Sequence, residues 1–499
     1  MTDEALDRVI ETYLDEEWET VVADIDALVR IESTEDKTGA SADAPFGPGV
    51  RRALDAALGI AERMGFATGD AGGCVGFADV PGASERQIAM ICHVDVVPAG
   101  QGWTVEPFAV TRREGWLMGR GVLDDKGPAI VALHAMNCLR RAGVQLPCSV
   151  RMLFGTNEES GMHDVPRYLA EHEAPAFLFT PDADFPVGYG EKGQLDGEVR
   201  FPVQPDGALV ELAGGMATNA VPSEASALVR ADAASLPTAE GIVVEAAGEG
   251  LARVSAEGVG GHAAWPENTR SAVGVLADYL LEAGVGTDAE RAFLQLASTV
   301  AYDVHGEELG IAASDEHFGP LTIIGGTLRT EPAEDAGEQD MAVDAGEQDG
   351  AESAGERVAA KLSAAFVLTV DSRFPTTTSA ERIATALAER AQQAGAAFVQ
   401  RATKPVFLTD PASPAIQALL ASYREVFDDD AQPFTMGGGT YARCFPVGAS
   451  FGPNRPWAEE RPAWAGEEHM ADEAVREDVL KDAFRVYVRT LCRLAGLEW

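Results

Sequence analysis

Three short apolar runs constrain this chain more than any other feature. Ile88–Cys92 gives way to His93 and Asp95, Cys148–Phe154 to Glu158 and Glu159, and Ala176–Thr180 to Pro181 and Asp182. Runs of this length, bounded by turn residues, read as strands buried on both faces of a parallel sheet. The amphipathic stretches around them, Leu6–Val29, Val50–Met64, Gly127–Arg141 and Val165–Glu173, have helical spacing. Strand alternating with helix predicts a three-layer α/β domain with a mostly parallel sheet. Ligands of such sheets bind outside the carboxyl ends of the strands. That is where these polar residues fall. His93 and Asp95, two apart on an extended chain, face the same side.

At 499 residues the chain has room for more than one domain. Its texture changes after Glu191. Residues 191–405 read as an inserted α+β domain, between a first part (1–190) and a second part (406–499) of the α/β domain. The insert carries a charged low-complexity segment, 331–355, in which DAGEQD occurs twice. Such a segment buries too little apolar surface to order itself and is expected to be a solvated loop.

The net charge of −42 argues against nucleic acid and anionic membrane surfaces as partners, because both call for a basic patch. The six cysteines are scattered without CxxC spacing. They read as reduced thiols of a cytoplasmic protein. The amino terminus is acidic and amphipathic, unlike a signal peptide. No apolar stretch is long enough to span a membrane.

The polar set has a chemical logic. Two His, a central Asp, a Glu and a further Asp suit a pair of divalent cations. One carboxylate is left over, as hydrolysis requires for a general base. Gly448-Ala-Ser450-Phe-Gly452 matches the GxSxG nucleophile pattern. Prolines rather than a helix follow it, so a serine hydrolase is rejected. Gly437-Gly438-Gly439 is no phosphate loop, since no Lys-Ser/Thr follows.

The segments HVDVVPAG, GRGVLDDKGP, GTNEESG, PDADFP, GGHAAWP, DSRFP and GGGTYAR, with the late His469, span nearly the whole chain. In that order they resemble the dizinc metallopeptidase family of aminoacylases, carboxypeptidase G and dipeptidases, and most of all its PepV-like (Xaa-His type) dipeptidases. The resemblance implies a catalytic domain with an inserted lid. It implies two divalent metal ions, zinc first, with manganese or cobalt as alternatives. His93 and Asp182 would bind one ion and Glu159 and His469 the other, with Asp124 bridging both. The bond from Asp124 to Asp125 would be cis. Asp95 would orient His93, and Glu158 would be the general base. His262 would stabilise the oxyanion. Asn219, Arg373 and the backbone at Gly438 and Gly439 would hold the substrate's terminal carboxylate; a structural ion pair is the other reading of Arg373.

The implied activity is metal-dependent hydrolysis of small peptides, chiefly dipeptides. An N-acyl-amino-acid deacylase or carboxypeptidase shares the mechanism and stands as the alternative. A non-catalytic metal- or peptide-binding protein is more remote. The long insert resembles lids that substitute for a second subunit, which points to a monomer.

Overall fold

A computed structural model describes residues 2–264, 266–332, 364–458 and 460–499. The acidic repeat falls outside the described residues. The chain divides into two compact units, residues 1–191 with 408–499 and residues 192–407.

The first unit is built on a nine-stranded sheet. At its centre Ser149–Gly155, Gln87–His93, Phe177–Thr180 and Gly448–Ser450 run parallel in that spatial order. Val75–Val80 and Ala67–Ala71 extend one side antiparallel. The period-2 alternation of the strands divides their side chains between two cores. Ile88, Met90 and Cys92 join Met152, Phe154, Phe177 and Phe179 in one. Ala89 and Ile91 join Leu153 and Leu178 in the other. The first core is closed by helices Asp3–Val29, Lys126–Arg141, Pro414–Val426 and Glu477–Ala495, the second by Asp164–Glu171 and the turn Tyr441–Cys444. This is the three-layer α/β arrangement expected.

The sheet fixes where the polar residues stand. His93 is in register with Gly155 on the neighbouring strand. Both strands therefore end at one level, and the loops carrying Glu158 and Glu159 leave the sheet beside His93.

The second unit is α+β. The eight strands of its main sheet are antiparallel throughout, in the order Ile242–Gly248, Leu251–Glu257, Glu224–Val229, Leu209–Gly214, Thr322–Glu331, Ala365–Phe374, Gly193–Pro202 and Ala397–Lys404. Helices Ala272–Glu282, Asp288–Tyr302 and Ala380–Gln393 share one core with the sheet. Among the described residues, no helix is long and apolar enough to cross a membrane.

The closing helix is pinned by Phe484, which is fully buried and stacks on Tyr13 with ring centroids 5.3 Å apart. Phe484→Ala removes that ring and leaves a cavity. It is expected to cost about 3–5 kcal/mol, read as a lower urea midpoint with an unchanged denaturant slope.

Candidate metal centre

The turn that follows Met118 delivers the central aspartate. Gly119 and Gly121 take φ of 153° and 93°, open to glycine but strained for other residues. They swing the chain back so that Asp124 meets the end of the Gln87–His93 strand. The Asp124–Asp125 peptide is cis, as the resemblance implies. The helix Lys126–Arg141 then begins with Asp125 at its N-cap.

Asp124 stands between two imidazoles. Its Oδ1 is 2.9 Å from His93 Nε2 and its Oδ2 is 3.0 Å from His469 Nε2. His469 Nε2 is also 3.1 Å from Glu159 Oε2. Asp182 Oδ2 lies 3.8 Å from His93 Nε2. The five residues expected to hold metal are thus brought together, with Asp124 in the middle. His93, Asp124 and Glu159 offer ligand atoms within 4.8 Å of one another, and so do His93, Asp125 and Asp182.

Asp95 works from behind. Its carboxylate accepts the N–H of Glu158 at 3.3 Å and of Glu159 at 3.2 Å. His93 Nδ1 is 2.9 Å from the Asp95 carbonyl and 3.5 Å from its carboxylate. The main chain of Asp95 is therefore the nearer partner of the ring.

The electrostatics are those of acids forced together. Burial raises the Glu158 carboxyl well above its usual range, with Asp182 and Glu159 adding to it. Burial and then Asp124 raise Asp182 to about 7, and the same two causes raise Glu159. Burial alone would also raise Asp124, but hydrogen bonds from His469 and His93 hold it well below the usual carboxylate range. Hydrogen bonds to Asp124 and Glu159 lift His469 to about 11. In the protein alone, protonated imidazoles balance the carboxylates. Divalent cations would replace those protons, since metal ligation takes the neutral ring. The donor set fits such ions. Glu159 Oε1 and Asp125 Oδ1 are buried with no hydrogen-bond partner among the described residues, and buried carboxylate oxygens of this kind are held by cations or donors.

Further residues support the site, among them Asp164 and Glu473, which carry no sequence signal. Asp125 accepts the His93 N–H at 3.1 Å; burial, then Asp182, pushes its carboxyl well up. Asp164 accepts the Thr156 N–H at 2.7 Å and the Tyr441 hydroxyl. Tyr441 in turn accepts the Asn157 N–H at 3.2 Å, so the Glu158 loop rests on a buried Tyr–Asp pair. Glu473, fully buried, holds the Asp124 turn. Glu473 and the Tyr441–Asp164 pair are long-range partners that only the fold brings near.

The remaining predicted residues are divided between the two units. In the first unit, Gly438 and Gly439 follow the strand Phe434–Met436. Thr440 donates to Glu191 Oε1 through its N–H at 3.1 Å and its hydroxyl at 2.7 Å. A side chain at Gly439 would collide with the Arg443 guanidinium, whereas Gly438 faces open space. In the second unit, the short strand Gly261–His262 pairs with Ala220–Val221, and the Asn219 carbonyl accepts the Ala263 N–H at 2.9 Å. His262 is exposed, with Nδ1 accepting the Ala264 N–H at 3.1 Å. Arg373 is buried and meets Asp371 through two bonds of 2.7 Å, with a third to Gln194 at 3.1 Å. Ser450 of the GxSxG match is buried in a strand, and its hydroxyl has no hydrogen-bond partner among the described residues. No base stands ready to activate it.

Asp95→Ala would strip two backbone N–H groups of their acceptor. Expected losses are about 10–100-fold in zinc affinity, measured by chelator competition, and about 1–3 kcal/mol of stability, measured by denaturant unfolding of the metal-free protein.

Residues 89–493 match peptidase family M20/M25/M40. Over 494 residues the chain is 30% identical to "Putative dipeptidase YtjP" of Bacillus subtilis (strain 168), covering 96% of this chain and 97% of that protein. Its fold is similar to that of the di-peptidase Dug1p from Saccharomyces cerevisiae, with a TM-score of 0.58 at 14% identity, over 99% of this chain and 100% of that one. It is similar also to human carnosine dipeptidase 1, with a TM-score of 0.57 at 13% identity over 99% of each chain.

Proposed function

Because the chain belongs to peptidase family M20/M25/M40 and is a metallopeptidase acting on peptide bonds, we propose that it is a dipeptidase with two divalent metal ions. The observation that carries the reading is the place of Asp124 between His93 and His469, with one carboxylate oxygen within about 3 Å of each ring. One oxygen on each side is what a bridging ligand needs.

In this reading His93 and Asp182 hold one ion, Glu159 and His469 the other, and Asp124 both. Zinc suits these nitrogen and oxygen donors, and manganese or cobalt would also be accepted. Such a pair would supply Lewis acidity and make a water more acidic. Glu158 would be the base that takes a proton from the attacking water and returns it to the leaving amine. Its backbone is held by Asp95, so the carboxylate is aimed before substrate arrives. We assign oxyanion stabilisation to His262, and the substrate's terminal carboxylate to Asn219, Arg373 and the backbone at Gly438 and Gly439. Arg373 is positioned for this by Asp371. A monomer working in the cytoplasm completes the proposal.

The test is hydrolysis of dipeptides, a tripeptide, N-acetyl amino acids and an N-blocked dipeptide, after EDTA stripping and readdition of zinc or manganese. Free dipeptides are expected to be cleaved only with metal restored, and Glu158→Ala is expected to lower kcat by about 10²–10⁴-fold. Cleavage confined to N-acyl substrates would move the protein to the deacylase reading. Cleavage that survives EDTA would overturn the metal mechanism.

A further inference from the structure

We propose that Glu473 is a positioning residue that locks the Asp124 turn and the His469 loop into one unit, and so sets how tightly the second metal ion is held. The proposal rests on the two-metal reading above.

The carboxylate of Glu473 is fully buried, and each of its oxygens is used. Oε1 accepts three backbone N–H groups of one turn, from Gly121 at 3.0 Å, Leu123 at 2.9 Å and Asp124 at 3.2 Å. Oε2 accepts Arg120 Nη1 at 2.6 Å. The Glu473 carbonyl accepts the Gly119 N–H at 3.0 Å. A single side chain thus holds the backbone of the Asp124 turn from behind, while the Asp124 carboxylate points to the two imidazoles.

The same segment carries His469, four residues earlier. Arg120 Nη2 reaches the Met470 carbonyl at 3.3 Å, so Arg120 bonds this segment at both Met470 and Glu473. The loop closes on itself through Gly466, whose N–H reaches the Asp472 carbonyl at 2.8 Å. It is anchored outward by Asp472, which accepts the N–H and hydroxyl of Thr104 at 2.8 Å each. His469 itself sits at φ 62°, a left-handed conformation held by the closed loop rather than by local preference. The bridging aspartate and a ligand of the second ion are therefore tied through one buried ion pair, although 344 positions separate them. Misplacing that pair would shift Asp124, which faces both imidazoles, and His469 as well, so the second ion would lose the placing of two ligands and the first that of one.

The test compares wild type, Glu473→Gln, Glu473→Asp and the distant core variant Phe484→Ala as full chains. Glu473→Gln keeps an acceptor for the N–H groups but loses the charge facing Arg120. Glu473→Asp keeps the charge but falls short of the turn. The measurements are zinc stoichiometry and affinity by competition with a chelator, the visible absorption of the cobalt-loaded protein, circular dichroism, and the split between kcat and KM. In the folded Glu473 variants the second ion is expected to bind about 10–100-fold more weakly and the first to be weakened less. The cobalt spectrum should change and kcat should fall, with KM nearly constant. Phe484→Ala, less stable but intact at the site, should match wild type in all four. Two ions bound with wild-type affinity by either folded Glu473 variant would overturn the proposal. So would metal loss that only follows the folded fraction, or failure of both variants to fold, since the role would then be structural. Wild type that takes up no pair of ions would overturn the two-metal reading, and this inference with it; two ions in wild type beside unaffected variants would overturn this inference alone.

Discussion

The crowding of carboxylates at the carboxyl ends of parallel strands is the constraint on which the catalytic unit depends. Asp124, Asp125, Glu158, Glu159 and Asp182 share a small volume with His93 at its floor, and burial drives four of the five toward the protonated form. A cluster like this is costly without positive charge or donors. The structure meets that need in layers. Imidazoles face Asp124, backbone N–H groups are aimed at Asp95 and Glu473, and Arg120 closes the outermost shell. Burial and the Asp124 charge even raise Glu473 to about 7, with Arg120 opposing them. In the proposed metal centre divalent cations would complete the arrangement and make such a cluster of buried acids tenable.

Much of this was legible in the sequence because it is written locally. A strand buried on both faces is a run of apolar residues, and its end is marked where the run becomes polar. His93, Glu158, Glu159 and Asp182 were visible for that reason. The second layer was not, because Glu473 and Asp164 act on backbone groups or hydroxyls far away in the chain, and nothing near them in sequence announces it. In the second unit the strands Ile242–Gly248 and Leu251–Glu257 carry little sequence signal. The first lies at the sheet edge and is largely exposed, and the second alternates small residues with polar ones, leaving little apolar contrast. The helix Asp288–Tyr302 does carry one at its start. Thr287 and Glu290 form a reciprocal capping box, and the Thr-x-x-Glu spacing is the sequence mark of such a start.

Arg373 shows how structure redistributes a reading. A guanidinium in this motif suggests capture of a carboxylate, and it does capture one, that of Asp371 on the same strand. The two-point pairing fixes the plane of the fork and offsets its charge. An arginine held this way is oriented in advance, and a ligand carboxylate would meet a group that has already lost its rotamer freedom.

Glu158 and Glu159 are adjacent, identical in chemistry and bound through their backbones to the same carboxylate, yet their surroundings differ. Beyond burial, Glu159 answers chiefly to Asp124 and is drawn to His469. Glu158 answers first to Asp182 and is eased by His93. One Asp95 carboxylate under two successive N–H groups fixes the backbone from which the side chains depart, so two neighbouring acids can serve separate ends. The acid beside an imidazole is suited to ligation. The one raised by burial and by a neighbouring carboxylate is suited to moving a proton. Its basicity follows from how far cations neutralise Asp182 and Asp124, because each charge removed lowers the barrier to ionising Glu158. In the proposed mechanism metal content and proton transfer would be coupled through the same few carboxylates.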